Sequence, residues 1–131
     1  MIVLDTHVWL WWLSNPEKLS PAAARAISDG VRDEGIIISS ISSWEIALLV
    51  ARGRLELAID HRDWIGKTEG LPFVHFAPVD NIIALRSVDL PGDFHPDPAD
   101  RIIVATAMTM ALPLVTRDDK ILNYPHLQTI W

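Results

Sequence analysis

Ile2-Val3-Leu4-Asp5-Thr6 is a β-branched, apolar run closed by an acid, and residues 7–13 after it are apolar enough for a largely buried helix ended by Ser14-Asn15-Pro16. Together they make a strand, a tight turn and a helix. The same order recurs downstream. Ser20-Pro21 offers an N-cap followed by proline at the first helical position, and 21–31 carries apolar residues at helical spacing before Gly35. Residues 36–39 read as a second buried strand, and 42–50 as a helix stopped at Arg52-Gly53-Arg54, where glycine suits the C-terminal cap. A short helix is expected at 61–69, a third strand at 73–76, a helix at 80–87 and a loop rich in Pro, Gly and Asp at 89–96. Residues 98–112 are apolar nearly all round and belong to a core helix, with final strands at 114–116 and 127–130. Strands alternating with helices, with no repeat or linker, predict one α/β domain over residues 1–131, layered around a parallel sheet of about five strands.

Composition narrows the function. With 131 residues, 50% of them apolar, the chain suits one domain that buries most of its unfolded surface. It has no cysteine, which excludes disulfides, thiolate metal sites and a cysteine nucleophile, and is compatible with a reducing cytosol. The longest apolar stretch, 102–115, is too short to span a bilayer and contains Pro113, and no basic region precedes the first strand; a soluble cytoplasmic protein is expected. The net charge of −6 and pI of 5.2 have the wrong sign for bulk electrostatic attraction to nucleic acid. Lysine and arginine form no stripe, only the small groups Arg52-Gly53-Arg54 and 117–120, which counts against a nuclease unless its contacts are local.

The acids point the other way. In parallel sheets ligands bind beyond the carboxyl ends of the strands, and Asp5, Glu45, Asp100 and Asp118 each fall at or just after a strand-to-helix junction, so the topology gathers them at one edge. Two carboxylates ~5 Å apart at an effective dielectric of about 20 repel by roughly 3 kcal/mol. A cluster therefore implies a divalent cation, and hard oxygen ligands imply Mg²⁺ or Mn²⁺. A phosphodiester is the natural substrate of such a site.

Each acid also has a purely structural reading. Asp5 suits an N-cap. Ser42-Ser43-Trp44-Glu45 is a complete capping box. In Asp97-Pro98-Ala99-Asp100 the first acid caps, the proline takes the first helical position, and Asp100 is favoured in the first turn by the helix dipole. Asp118 suits the start of a turn, and Asp119 competes with it for any functional role. Taken jointly, acids at four separate junctions on the ligand edge favour a metal site over four unrelated caps. The histidines His7, His61, His75, His95 and His126 show no metal-ligand spacing, and only His95, two residues before Asp97, stands out. Trp9, Trp11 and Trp12 read as core, although one of the three must face away from the others, leaving a partner surface there or at Trp44.

The opening Ile2-Val3-Leu4-Asp5-Thr6-His7, the segment Ser39-Ser40-Ile41-Ser42-Ser43-Trp44-Glu45-Ile46-Ala47, the run Asp97-Pro98-Ala99-Asp100-Arg101-Ile102-Ile103-Val104-Ala105 and Leu114-Val115-Thr116-Arg117-Asp118 occur here in order. With the closing Leu127-Gln128-Thr129-Ile130-Trp131 they resemble PIN-domain ribonucleases, and more narrowly VapC-type toxins of bacterial type II toxin–antitoxin modules. The resemblance covers essentially the whole chain and rests on order and spacing. It implies a three-layer α/β/α domain around a parallel sheet, Mg²⁺- or Mn²⁺-dependent endoribonuclease activity on RNA, a homodimer, and inhibition by a cognate antitoxin that also binds DNA. It assigns Asp5, Glu45, Asp100 and Asp118 to the metal, with Thr6 and Thr116 as hydroxyl supports. Asp97 matches a position less regularly assigned to the metal. Ala99 departs from a common bulky aromatic, and the Asp118-Asp119 doublet leaves the fourth acid ambiguous.

The expectation is thus a toxin that cleaves RNA with metal-activated water. Asp5, Asp100 and Glu45 would bind one cation, with Asp118 holding it, a second ion, or their waters. Two rivals stand beside it: a metal-independent ribonuclease using a histidine pair, and a non-enzymatic α/β regulatory module that binds a cation or a partner. The acidic pair that receiver-like domains need beside the first strand is missing, since Asp5 is followed by Thr6-His7.

Overall fold

The computed structural model describes residues 1–33 and 35–131. Its centre is a sheet of five parallel strands, β1 (Ile2–Leu4), β2 (Ile36–Ser39), β3 (Val74–Ala77), β4 (Leu114–Val115) and β5 (Thr129–Ile130), in the order β3-β2-β1-β4-β5. The helices are α1 (Thr6–Ser14), α2 (Pro21–Arg32), α3 (Ser40–Ala51), α4 (His61–Glu69), α5 (Asn81–Val88), α6 (Pro98–Met110) and α7 (Asp119–Leu122), with a 3₁₀ turn at Pro16–Lys18.

The register shows why the strands read as unbroken apolar runs. Leu4 pairs with Ile38 on one side and Val115 on the other, while Val3 pairs with Ile37 and Leu114. Side chains alternate across a strand, so Val3, Ile37 and Leu114 pack with Ile83, Ile103 and Val104 of α5 and α6. Leu4, Ile38 and Val115 pack on the opposite face with Val8, Trp9, Ala23 and Ile27 of α1 and α2. Both faces are covered by helices, and the result is the expected three-layer α/β/α arrangement.

Local chemistry sets most helix starts. Ser20 Oγ accepts from the Ala23 N–H at 3.0 Å with Pro21 in the first turn, and Asp97 Oδ1 accepts from the Asp100 N–H at 3.0 Å with Pro98 in the first turn. Gly53, at φ +67°, takes the left-handed position after α3 that a Cβ would strain.

One expectation fails. Helix α3 begins at Ser40, ahead of Ser42, and its cap is Ser39, whose Oγ accepts from the Ile41 N–H at 3.2 Å. Ser42 and Glu45 therefore lie inside the helix and form no capping box, which frees both side chains for contacts across the sheet edge. The short α7 and the 3₁₀ turn were not expected, and β5 is shorter than the predicted 127–130.

Trp9 is fully buried: its indole N–H donates to Thr68 Oγ1 at 3.3 Å, and its ring packs against Trp64 and Phe76. Trp11 and Trp12 are half-buried against Trp131 and Phe73, and Trp44 is 55% exposed. Among the described residues, no helix is long and apolar enough to cross a membrane.

Candidate metal centre

Strand β1 is the branch point of the sheet, with β2 on one side and β4 on the other. At such a switch the connections diverge and leave a crevice beyond the carboxyl ends of the strands. Asp5 ends β1 there, 3% exposed, and caps α1 by accepting from the Thr6 N–H at 2.8 Å through Oδ1. Its Oδ2 accepts from the Thr116 hydroxyl at 2.7 Å, and Thr116 Oγ1 accepts in turn from the Asp118 N–H at 3.0 Å. One hydroxyl thus couples the acid after β1 to the backbone after β4.

A second hydroxyl relay runs toward α3. Thr6 Oγ1 donates to Glu45 Oε1 at 2.5 Å, which leaves Ser42 Oγ, 2.8 Å away, to donate to Thr6. His7 Nε2 accepts from the Arg117 N–H at 2.9 Å, so in the neutral ring the proton is on Nδ1, which faces Asp5 Oδ2 at 3.7 Å.

Asp100 and Asp118 complete the group. Asp100 projects from the first turn of α6, and Asp118 caps α7, accepting from the Lys120 N–H at 2.9 Å. Carboxylate oxygens of these two and a ring nitrogen of His95 all lie within 4.8 Å of one another. The electrostatics reflect the crowding. Burial, and then the charges of Asp5, Asp97, Asp118 and Glu45, push Asp100 up to about 7. Glu45 is also raised, chiefly by burial and further by Asp5 and Asp97, against the lowering effect of its bond from Thr6.

The structure brings Asp5, Glu45, Asp100 and Asp118 to one crevice. Capping and clustering prove not to be alternatives, since Asp5 and Asp118 do both. Asp97 caps α6 at the rim, and its charge acts on both Asp100 and Glu45. Asp119 points away, 79% exposed, and pairs with Arg117 at 3.1 Å. Among the described residues, no lysine or arginine forms an ion pair with any of the four clustered acids. Hard oxygen donors with no protein cation to offset them fit a divalent metal ion.

Sequence reasoning missed two members of this neighbourhood. The capping pattern places Ser42 at a helix start, although a serine three residues before Glu45 lies on the same helical face. Arg101, adjacent to Asp100, carries no pattern that marks its role, yet its guanidinium holds the loop before α6 by main-chain carbonyls.

A parallel sheet with carboxylates converging at its switch point is an arrangement suited to a metal-dependent nuclease, and comparison with known proteins gives the class. The chain belongs to the PIN domain family, whose family model matches residues 2–127. Within that family it falls with the VapC type: it is 37% identical to Ribonuclease VapC22 of Mycobacterium tuberculosis over 133 aligned positions, covering 99% of this chain and 98% of the relative. Its fold is similar to VapBC2 from Rickettsia felis bound to a promoter DNA fragment, with a TM-score of 0.70 at 16% identity over 98% of this chain and 97% of that one. FitAcB from Neisseria gonorrhoeae gives a TM-score of 0.64 at 25% identity over 98% and 96% of the two chains.

Proposed function

We propose that this chain is the toxin of a toxin–antitoxin module, an endoribonuclease whose Mg²⁺ or Mn²⁺ is held by Asp5, Glu45, Asp100 and Asp118. The observation that carries this reading is Asp100, a carboxyl pushed up to about 7 in a crevice of four acids that has no lysine or arginine partner among the described residues. A group so placed is only about half ionised at neutral pH, and an added positive charge would ionise it fully. The name of the relative, a ribonuclease, supports RNA as the polymer.

When bound, a divalent ion supplies Lewis acidity, activating water for attack on phosphorus and offsetting charge on the phosphate. The chain's own residues hold and aim. Thr116 and the Thr6 N–H fix both oxygens of Asp5, and the Thr6 hydroxyl fixes Glu45. The tie from Thr116 Oγ1 to the Asp118 N–H sets Asp118 relative to Asp5. The first turn of α6, capped by Asp97, carries Asp100 into the crevice.

The neighbouring structures that are toxin–antitoxin complexes support an antitoxin partner. A groove beside α1, lined by Leu10, Trp11, Leu55, Leu57 and Trp64 with Lys18 and Lys67 at hand, is suited to an amphipathic protein segment. A homodimer is supported by Ile82, Leu85 and Val88, a stripe on α5 that is 68%, 68% and 74% exposed.

The test is the chemistry of the cut. Incubated with RNA and Mg²⁺ or Mn²⁺, the purified chain is expected to leave 5′-phosphate and 3′-hydroxyl ends, and Asp100→Asn to leave the RNA intact. A 2′,3′-cyclic phosphate would mean attack by the ribose hydroxyl and would overturn the reading.

A further inference from the structure

The loop 89–97 between α5 and α6 contains no helix or strand, yet its path is fixed from α6. Arg101 donates to the carbonyls of Ser87 at 2.8 Å, Val88 at 3.3 Å, Phe94 at 2.9 Å and His95 at 3.3 Å. Phe94 packs edge-on against Tyr124, whose hydroxyl donates to the Pro91 carbonyl at 2.5 Å. Both ends of the loop are thereby tied to the core. The ring this places at the acidic crevice is His95.

His95 Nε2 lies 3.1 Å from Asp100 Oδ2. A proton on that nitrogen would not point at the oxygen, and Nε2 is a buried nitrogen with no hydrogen-bond partner among the described residues. The two atoms are therefore close without a hydrogen bond between them. Ligands at right angles on an ion ~2.1 Å from each are about 3 Å apart, which matches the separation of this pair. Asp118 offers an oxygen in the same small volume.

We propose that His95 is a nitrogen ligand of the cation held by the four acids, making the centre a mixed nitrogen–oxygen site. This rests on the metal-dependent reading above. An imidazole discriminates among ions: Mg²⁺ keeps to oxygen and its own waters, whereas Mn²⁺ and the later first-row ions accept imidazole readily. The centre is therefore expected to prefer Mn²⁺ to Mg²⁺ by more than an all-oxygen cluster does. The simplest competing role for His95, an imidazolium paired with Asp100, has the opposite consequence, because removing a cation from the crevice would leave metal affinity unchanged or raise it.

Pulsed electron paramagnetic resonance on the full chain loaded with Mn²⁺ separates these roles without any assay of cleavage. The native protein is expected to show hyperfine coupling to an imidazole nitrogen, and His95→Leu to lose it while still binding Mn²⁺. By calorimetric titration His95→Leu should weaken Mn²⁺ at least about tenfold and Mg²⁺ less than about threefold. Bound Mn²⁺ with no nitrogen coupling in the native protein overturns the role of His95 and leaves the four-acid site standing. Coupling that persists in His95→Leu assigns the nitrogen elsewhere, with His7 the nearest alternative, and also overturns it. If native protein and Asp100→Asn alike fail to take up Mn²⁺, the metal-dependent reading falls together with this one.

Discussion

On one side of the crevice the acids accept from buried hydroxyls; on the other the protein supplies almost no partner to the carboxylates. Asp5 accepts from a backbone N–H and a buried hydroxyl, and Glu45 from a second hydroxyl backed by Ser42. Asp118 is held through its backbone and its own cap, and the Asp100 carboxylate accepts no hydrogen bond among the described residues. These are acids of one cluster under opposite local conditions. The first pair is fixed in position before any ligand arrives. The second carries charge that folding brings together and leaves uncompensated. One substitution made on each side should therefore act alike on catalysis and oppositely on stability.

The largest effect sought is on cleavage. Asp5→Asn and Asp100→Asn should each lower RNA cleavage at least about 10³-fold, because each removes a negative donor with little change of shape. Thermal melts of the metal-free proteins then tell them apart. Asp5→Asn is expected to cost about 1–3 kcal/mol, since an amide presents donors where the Thr6 N–H and Thr116 hydroxyl donate to a charge. Asp100→Asn is expected to raise the melting temperature by several degrees. If both variants melt lower than the native protein, the two sides of the crevice do not differ as described.

Stability against pH sharpens the same contrast. Asp100, raised to about 7, takes up a proton in the folded chain at a pH where the unfolded chain, near 3.8, does not. The native state thus binds more protons between those values, and the metal-free protein should gain stability as pH falls from about 7.5 toward 5. Glu45, raised in the same direction, adds to the slope. Asp100→Asn should flatten it, and a profile equally steep in native and variant would remove Asp100 as its source. A divalent cation at a hundredfold excess over its dissociation constant should stabilise by ~2.7 kcal/mol at neutral pH, and by less at pH 6, where protons compete.

A smaller loss is expected from Thr116→Val, which keeps the shape but removes the donor to Asp5 and the acceptor for the Asp118 N–H. Stability should fall by about 1–2 kcal/mol and cleavage by about 10–100-fold. The smallest belongs to the doublet. Asp119→Asn breaks only an exposed pair with Arg117 and should alter stability by less than about 0.5 kcal/mol, whereas Asp118→Asn should abolish cleavage. The reverse ranking would exchange the two residues.

Much of this was legible in the sequence, for reasons that differ between elements. Strand β2 and helix α4 appear with the bounds expected of them, because a continuous β-branched run and helix capping are local properties. The order of the acids followed from topology, since in a parallel sheet each strand end faces the same edge. What escaped was relational. Two serines, Ser39 and Ser42, each suit the cap of α3, and the choice is made by β2, whose last residue is the buried Ser39. Arg101 acts on carbonyls up to 14 residues earlier in the chain, through a loop whose path has no period to read. The direction of the His95 ring is set by that same loop. Strands as short as β4 and β5, two residues each, leave little pattern to bound them.

The bond from Thr116 to Asp5 joins residues 111 positions apart, and this bears on when the enzyme exists during its own manufacture. A nascent chain that has reached the end of α6 already carries Asp5, Glu45 and Asp100, but it lacks β4, the neighbour that pairs with Leu4 and brings Thr116 beside Asp5. Contacts so distant in sequence form late, after the intervening chain has been made and ordered. Fragments stopping at residue 110 should show no cation-dependent protection from protease, whereas the full chain should show it. The acidic centre is thus completed only once β4 has been made, a delay written into strand order rather than into any inhibitor.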